Sequence, residues 1–344
     1  MLCHAYPYVK TILREAPAMT HVLISVDTEL SAGGQARGQG IRENFESSIL
    51  GRCPAGDFGI GWQMDRLEQH GLKGVFFVDP MPALVHGEQV VADIVGPILA
   101  RGHEVQLHIH TEWLQWANAS PVAGRSGRNI GDFDLDDQVR LLGLARDILV
   151  RAGAPRPIAF RAGNYGADDN SLRALAALGI AWDTSVNPAY LGGDCRVSVA
   201  KGQISAIEKE GVLLLPVSGF FDRPRHFRPA QICAASGMEM RAALSHAAET
   251  KQPAFMIVTH SFEMLSRDRQ RPNRSVMARF DSLCRAIADH PLLRASGFAD
   301  LDPGEVLDGD RKLERLPANL LRTGLRFADQ LIGTWRYERR LLPG

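Results

Sequence analysis

The sequence predicts an α/β fold built on a mostly parallel sheet or barrel, and three observations predict it. Short apolar, β-branched runs alternate with amphipathic stretches of helical period through most of the 344 residues. Asp27, Glu29, His108, Arg161, Asp183 and His260 all fall where those runs end, and that is the end at which a parallel barrel builds its sites. No dinucleotide-type glycine fingerprint or P-loop follows any of the runs, so a nucleotide-binding version of the fold lacks its signature.

Taken in order, residues 1–20 carry charges and prolines without an apolar h-region. They read as a weakly structured leader and not as a secretory signal. His21–Val26 is a buried strand that delivers Asp27 and Glu29, two residues apart and therefore on one face. Ser31–Gly59 is rich in glycine and reads as a long loop. Gly59–His70 is a helix closed by Gly71, and Leu72–Val78 is a second buried strand. Val90–Ala100 is a helix with a break expected at Gly96-Pro97, and Gly102 opens a third strand.

Asp134–Ala152 is an amphipathic helix with an acidic first turn. Pro157–Phe160 is a short strand running into Arg161, Ser171–Leu178 a helix, and Ile180–Trp182 a lead into Asp183. Val212–Pro216 is a strand, Gly237–Thr250 a helix, and Ala254–Val258 a strand ending at His260. Arg274–Asp289 is the last core helix. Residues 303–344 mix Leu320, Leu321, Leu325, Phe327, Leu331 and Trp335 with many arginines. They read as an amphipathic helical extension that packs on the barrel or on a second subunit, with a membrane-surface role as the alternative.

The third strand holds the densest chemistry. Gly102–Trp113 reads GHEVQLHIHTEW, in which His108 and His110 share a strand face and could share one divalent ion. Two half-buried histidines at a strand end would give the same pattern. Bulk properties narrow the field. Lys+Arg and Asp+Glu both number 39, so no global field recruits nucleic acid or another polyanion. The five cysteines are scattered without a CxxC pair, against a zinc knuckle or a disulfide framework. No run of about 18 apolar residues suggests a membrane span. A soluble, cytoplasmic protein with reduced thiols is the expectation.

Six blocks in order, SVDTE (25–29), GIGWQMDRLEQHGLKGVFFV (59–78), GHEVQLHIHTEW (102–113), FRAGNYG (160–166), WDTS (182–185) and THSFE (259–263), make the chain resemble the polysaccharide deacetylases of the NodB-homology, carbohydrate esterase family 4 group. The match spans roughly residues 20–302. It implies a distorted (β/α)7 barrel over residues 21–302, flanked by the leader and the 303–344 extension. By resemblance, Asp27 is the catalytic base and Glu29 stands where relatives place a metal-binding aspartate. His108 is the first metal histidine. The family's second histidine position is Glu112 here, with His110 intervening. His110 is preferred because it shares a face with His108, and Glu112 is its rival. Arg161 pairs with the base, Tyr165 lies near the backbone N–H that holds the oxyanion, and His260 is the general acid. Gly163 stands where proline is usual, and Asp183 lies near a loosely matching fourth motif.

The implied activity is metal-dependent removal of N-acetyl or O-acetyl groups from a carbohydrate. The cofactor would be one divalent ion, Zn2+ first, with Co2+, Ni2+ or Mn2+ as the others. A cytoplasmic location would point to an intermediate of exopolysaccharide or surface-glycan synthesis. The alternatives are a metal-dependent amidohydrolase acting on a non-sugar amide or cyclic imide, and a degenerate glycan-binding barrel. Homo-oligomerisation or membrane-surface contact would run through the C-terminal helix.

Overall fold

The first strand starts at Thr20, one residue earlier than the sequence suggests, and is buried along nearly its whole length. The computed structural model describes residues 19–307 and 314–338. Almost all of the expected leader lies outside them. The main sheet comprises β1 (Thr20–Thr28), β2 (Val75–Val78), β3 (Glu104–Ile109), β4 (Ala159–Ala162), β5 (Trp182–Asp183), β6 (Ile207–Lys209), β7 (Val212–Leu214), β8 (Ala254–His260) and β9 (Leu293–Ala295). Their spatial order is β8-β1-β2-β3-β4-β5-β7-β6, with β9 beside the start of β1. All pairings are parallel except β6 with β7. The two ends of the sheet meet through an irregular segment in place of a regular strand pair. Ser218 and Ile232 donate backbone hydrogen bonds to Met256 and Val258 of β8 at 3.1 and 3.2 Å. The architecture is a distorted β/α barrel with helices outside, as the alternation of elements requires.

Helices sit where the periodicity puts them, with local reasons for their ends. Leu135–Arg151 starts at Asp134, whose side chain accepts from the Asp137 N–H, and Asp169–Leu178 ends on Gly179 at φ 70°. Pro97 lies inside an unbroken helix, Gln89–Ala100, so the expected interruption is absent. The Ser31–Gly59 stretch is also more regular than expected. It holds helices Ala32–Ala36 and Ile41–Ser48 and a hairpin of Arg52–Cys53 with Gly56–Asp57. Glycine content hid these elements, because the Ser31 and Asn44 side chains, not apolar periodicity, organise them. Asn44 accepts from the Ser31 N–H at 2.8 Å and donates to its carbonyl at 2.9 Å.

The C-terminal extension forms helix Leu320–Gly333 and packs on the barrel, but through its polar face. Arg326, 1% exposed, reaches Asp222 at 2.8 Å and Glu239 at 3.1 Å. Thr323 donates to the Asp222 carbonyl at 2.7 Å. Two buried carboxylates need a cation, so the helix turns its arginine inward and leaves its leucines outside.

Candidate active site and metal centre

Parallel pairing assembles the site before any side chain is considered. Asp27 is the register partner of His260 across β1 and β8, and His108 is the partner of Arg161 across β3 and β4. All four stand at strand exits on one end of the barrel. Asp27, His108 and His260 reach a common cavity of about 240 Å³ with Glu29, His110, Tyr165 and Gln231 on its walls, and Arg161 lies behind Asp27, fully buried.

Glu29, His108 and His110 offer ligand atoms that all lie within 4.8 Å of one another. Nε2 of His108 is 3.2 Å from Glu29 Oε2, and Nε2 of His110 is 2.5 Å from the same oxygen. The other ring nitrogens are committed outward. His108 Nδ1 donates to the Arg161 carbonyl at 2.7 Å, and His110 Nδ1 donates to Glu112 Oε2 at 3.0 Å. With those protons spent, three electron-rich atoms converge on one point, and only a proton or a cation relieves their repulsion. Burial pushes the Glu29 carboxyl up, but His110 and His108 outweigh it and hold it well below the usual carboxylate range. Burial likewise opposes charge on His110, while Glu29 and Glu112 raise it well above an ordinary imidazole. A site that holds a proton this firmly has the charge and the donors, two nitrogens and a carboxylate, to hold a divalent ion.

Glu112 stands behind His110 and orients it, with Asn164 donating to its other oxygen at 3.2 Å. Gly163 explains why an imidazole fits here. A Cβ at Gly163 would sit 2.7 Å from the Ile109 carbonyl and 2.8 Å from His110 Cε1 and Nδ1. Glu112 and Gly163, the two positions at which the sequence departs from the pattern it resembles, therefore meet at the His110 ring. The following residues, Asn164 and Tyr165, both take left-handed φ, at 56° and 57°, a conformation that non-glycine residues hold only where the surroundings impose it.

Asp27 receives a hydrogen bond from Arg161 Nη1 at 2.5 Å. Arg161 is fully buried, its guanidinium 4.4 Å above the Phe77 ring. On the other side, His260 Nε2 is 3.9 Å from Asp27 Oδ2 and its Nδ1 donates to Glu263 Oε1 at 2.7 Å. Burial pulls the His260 imidazolium down, but Glu263, Asp27 and Glu29 outweigh it and lift its pKa to about 9. Gln63, fully buried on helix Ile60–Gln69, donates to the His260 carbonyl at 3.0 Å. The Tyr165 hydroxyl accepts from Gln231 at 2.9 Å.

Asp183 is not on the cavity wall. It is fully buried and bound to the Ser185 N–H and hydroxyl at 2.9 and 2.6 Å, and burial raises its pKa to about 6. Ser185 in turn accepts from the Ala162 N–H at 2.9 Å, so Asp183 braces the turn after Arg161. Three polar residues near the centre escape sequence reasoning. Glu263 and Gln63 lie inside recognised blocks but carry no signal of their own. Asp79 follows β2 as one more strand-exit carboxylate, and that placement could have found it. It is fully buried, burial raises its pKa to about 6, and its Oδ2 has no hydrogen-bond partner among the described residues.

No family model and no curated protein matches this chain. Solved structures do. A proposed polysaccharide deacetylase from Mycobacterium smegmatis aligns over 92% of this chain and 99% of its own, with a TM-score of 0.56 at 16% identity. The chain has the polysaccharide deacetylase fold. A 4-alpha-glucanotransferase from Thermococcus litoralis aligns over 93% of this chain and 47% of its own, with a TM-score of 0.50 at 11% identity. A family 4 carbohydrate esterase from Streptomyces lividans, solved with acetate, aligns over 83% and 95%, with a TM-score of 0.39 at 11% identity. The deacetylase fold is thus shared with a transferase, and the activity of this deacetylase-type barrel has to be argued from its site.

Proposed function

We propose that the protein is a metal-dependent carbohydrate deacetylase. The observation that carries this reading is the convergence of Glu29, His108 and His110 beside the Asp27–Arg161 pair, with His260 across the same cavity. Glu29 and the two Nε2 atoms would hold one divalent ion, Zn2+ first, with Co2+, Ni2+ or Mn2+ as the others. When bound, such an ion supplies Lewis-acid polarisation of an acetyl carbonyl and lowers the pKa of water towards about 7.

Asp27 takes the proton from the attacking water. Arg161, buried and donating to that carboxylate at 2.5 Å, holds it aimed into the cavity. The backbone N–H at Tyr165, fixed by the strained Asn164–Tyr165 turn, donates to the oxygen that becomes negative, a contact typically worth about 3 kcal/mol. His260, charged at neutral pH, donates its proton to the leaving amine or alcohol. Without that donor, the tetrahedral intermediate returns to substrate by expelling the oxygen that attacked.

The substrate is an N-acetylated or O-acetylated carbohydrate, and the reading extends to an intracellular intermediate of exopolysaccharide or surface-glycan synthesis. A cavity of about 240 Å³ lies below the roughly 300 Å³ floor of ordinary small-ligand pockets. It takes one acetylated residue and leaves the rest of the glycan outside. The same small volume favours the second reading, a non-sugar amide or cyclic imide. Acetate release from N-acetylated oligosaccharides, measured with and without added Zn2+ and beside hydrolysis of cyclic imides, separates the two. Metal-stimulated acetate release is expected, and imide opening without acetate release would overturn the carbohydrate reading.

A further inference from the structure

Helix Leu320–Gly333 is amphipathic in reverse. Its inward face is Thr323, Arg326, Asp329 and Gln330, which bond to the barrel. Its outward face is apolar. Leu320, Leu321 and Leu331 are 79%, 72% and 72% exposed, Leu325 and Phe327 are nearly half exposed, and Trp335 of the next turn is 60% exposed. At 100° per residue, the arc from Phe327 through Leu320, Leu331, Gly324, Ala328 and Leu321 to Leu325 covers about 160° without a charged residue. The barrel does not need this face, and water disfavours an apolar patch of this kind.

The surroundings of the patch are cationic. Arg241, Arg274 and Arg336 line one depression with Tyr337 beside the helix end. Arg267 donates its backbone N–H to the Tyr337 carbonyl at 3.1 Å, and the Arg271 guanidinium lies 6.0 Å from the Tyr337 ring. All five arginines are exposed. Among the described residues, none of them forms an ion pair with a carboxylate. The one acidic residue on that depression, Asp329, is taken by Arg279 at 2.6 Å.

We infer that this face is a docking surface for an anionic phospholipid bilayer. Leucine, phenylalanine and tryptophan on the outer side of the helix, with arginines of the neighbouring elements at its border, make a surface suited to the headgroup plane. Tryptophan settles at that depth and arginine meets the lipid phosphates. A second copy of the chain fits less well. A two-fold contact through the apolar strip would bring each arginine rim against its own copy, and like charges oppose such a contact.

The test is co-sedimentation of the full-length protein with vesicles of phosphatidylglycerol and phosphatidylcholine, against vesicles of phosphatidylcholine alone. Binding to the anionic vesicles is expected, released at about 1 M salt. The triple variant Leu321→Glu, Leu331→Glu, Trp335→Glu should bind about a hundredfold more weakly. The double variant Arg274→Glu, Arg336→Glu should lose about tenfold. All five side chains are exposed, and unchanged thermal melting of the variants verifies that the fold is kept. Failure of the wild type to bind anionic vesicles overturns the inference, as does equal binding to neutral ones. A salt-stable dimer that the triple variant splits, without vesicle binding, assigns the face to a second copy and overturns it too. None of these readouts depends on the deacetylase reading.

Discussion

The protein buries charge in two places, and the contrast between them separates a site from a structural staple. Under the C-terminal helix, Asp222 is met by Arg326 and Arg228, both at 2.8 Å, and by one imidazole, His226, at 2.6 Å, and Glu239 is met by Arg326. Arginine offers no lone pair to a metal, a single imidazole reaches the cluster among the described residues, and both carboxylates are buried. At the strand exits, the carboxylates face three histidines as well as Arg161, and the cluster opens on a cavity. Imidazoles carry lone pairs for a metal and protons that move at accessible pH. Burial of charge alone therefore does not mark function. Ring nitrogens that converge on one point and the open volume beside them do.

Breaking each cluster should fail in a different way. His108→Ala should remove the bound metal and lower kcat/KM by about 10⁴-fold or more with the fold kept, measured by metal analysis and acetate release. Asp27→Asn should keep the metal and lose about a thousandfold in kcat, because the water loses its base. Arg326→Met should do the reverse. It takes from Glu239 the cation that faces it and from Asp222 one of its partners, costs about 3 to 5 kcal/mol in denaturant unfolding, and leaves the activity of the folded fraction unchanged. Gly163→Ala pushes a methyl group into His110 and should weaken metal binding by about 10- to 100-fold in a chelator competition.

The smallest effect is a shift in pH dependence. His260 is raised to about 9, so its proton and its stabilising charge are fully present below the unfolded value of 6.5 and are lost as pH rises through about 9. Activity should fall on that alkaline limb. Glu263→Gln removes the largest upward pull and should move the limb to lower pH, read from a kcat-pH profile. An unmoved limb would mean that another group sets it.

The barrel was legible because parallel strands announce themselves as apolar runs ending in polar residues. Asp27, Arg161 and His260 were findable for the same reason. What stayed hidden depends on space. Glu263 matters because it touches His260, and Gly163 matters because His110 fills the room its missing Cβ leaves. The amphipathic pattern of the C-terminal helix was plain in the sequence, but not which face turns in. That choice is made by Asp222 and Glu239, about a hundred residues away in the chain.

The central claim is that Glu29, His108 and His110 together hold a catalytic divalent ion. An anomalous-difference map from crystals grown with Zn2+ tests it most directly. The account predicts one strong peak within about 2.0 to 2.2 Å of a Glu29 oxygen and of Nε2 on both histidines, with Glu112 hydrogen-bonded behind His110. A peak bound by Glu112 in place of His110, or no peak in this cavity, would contradict it.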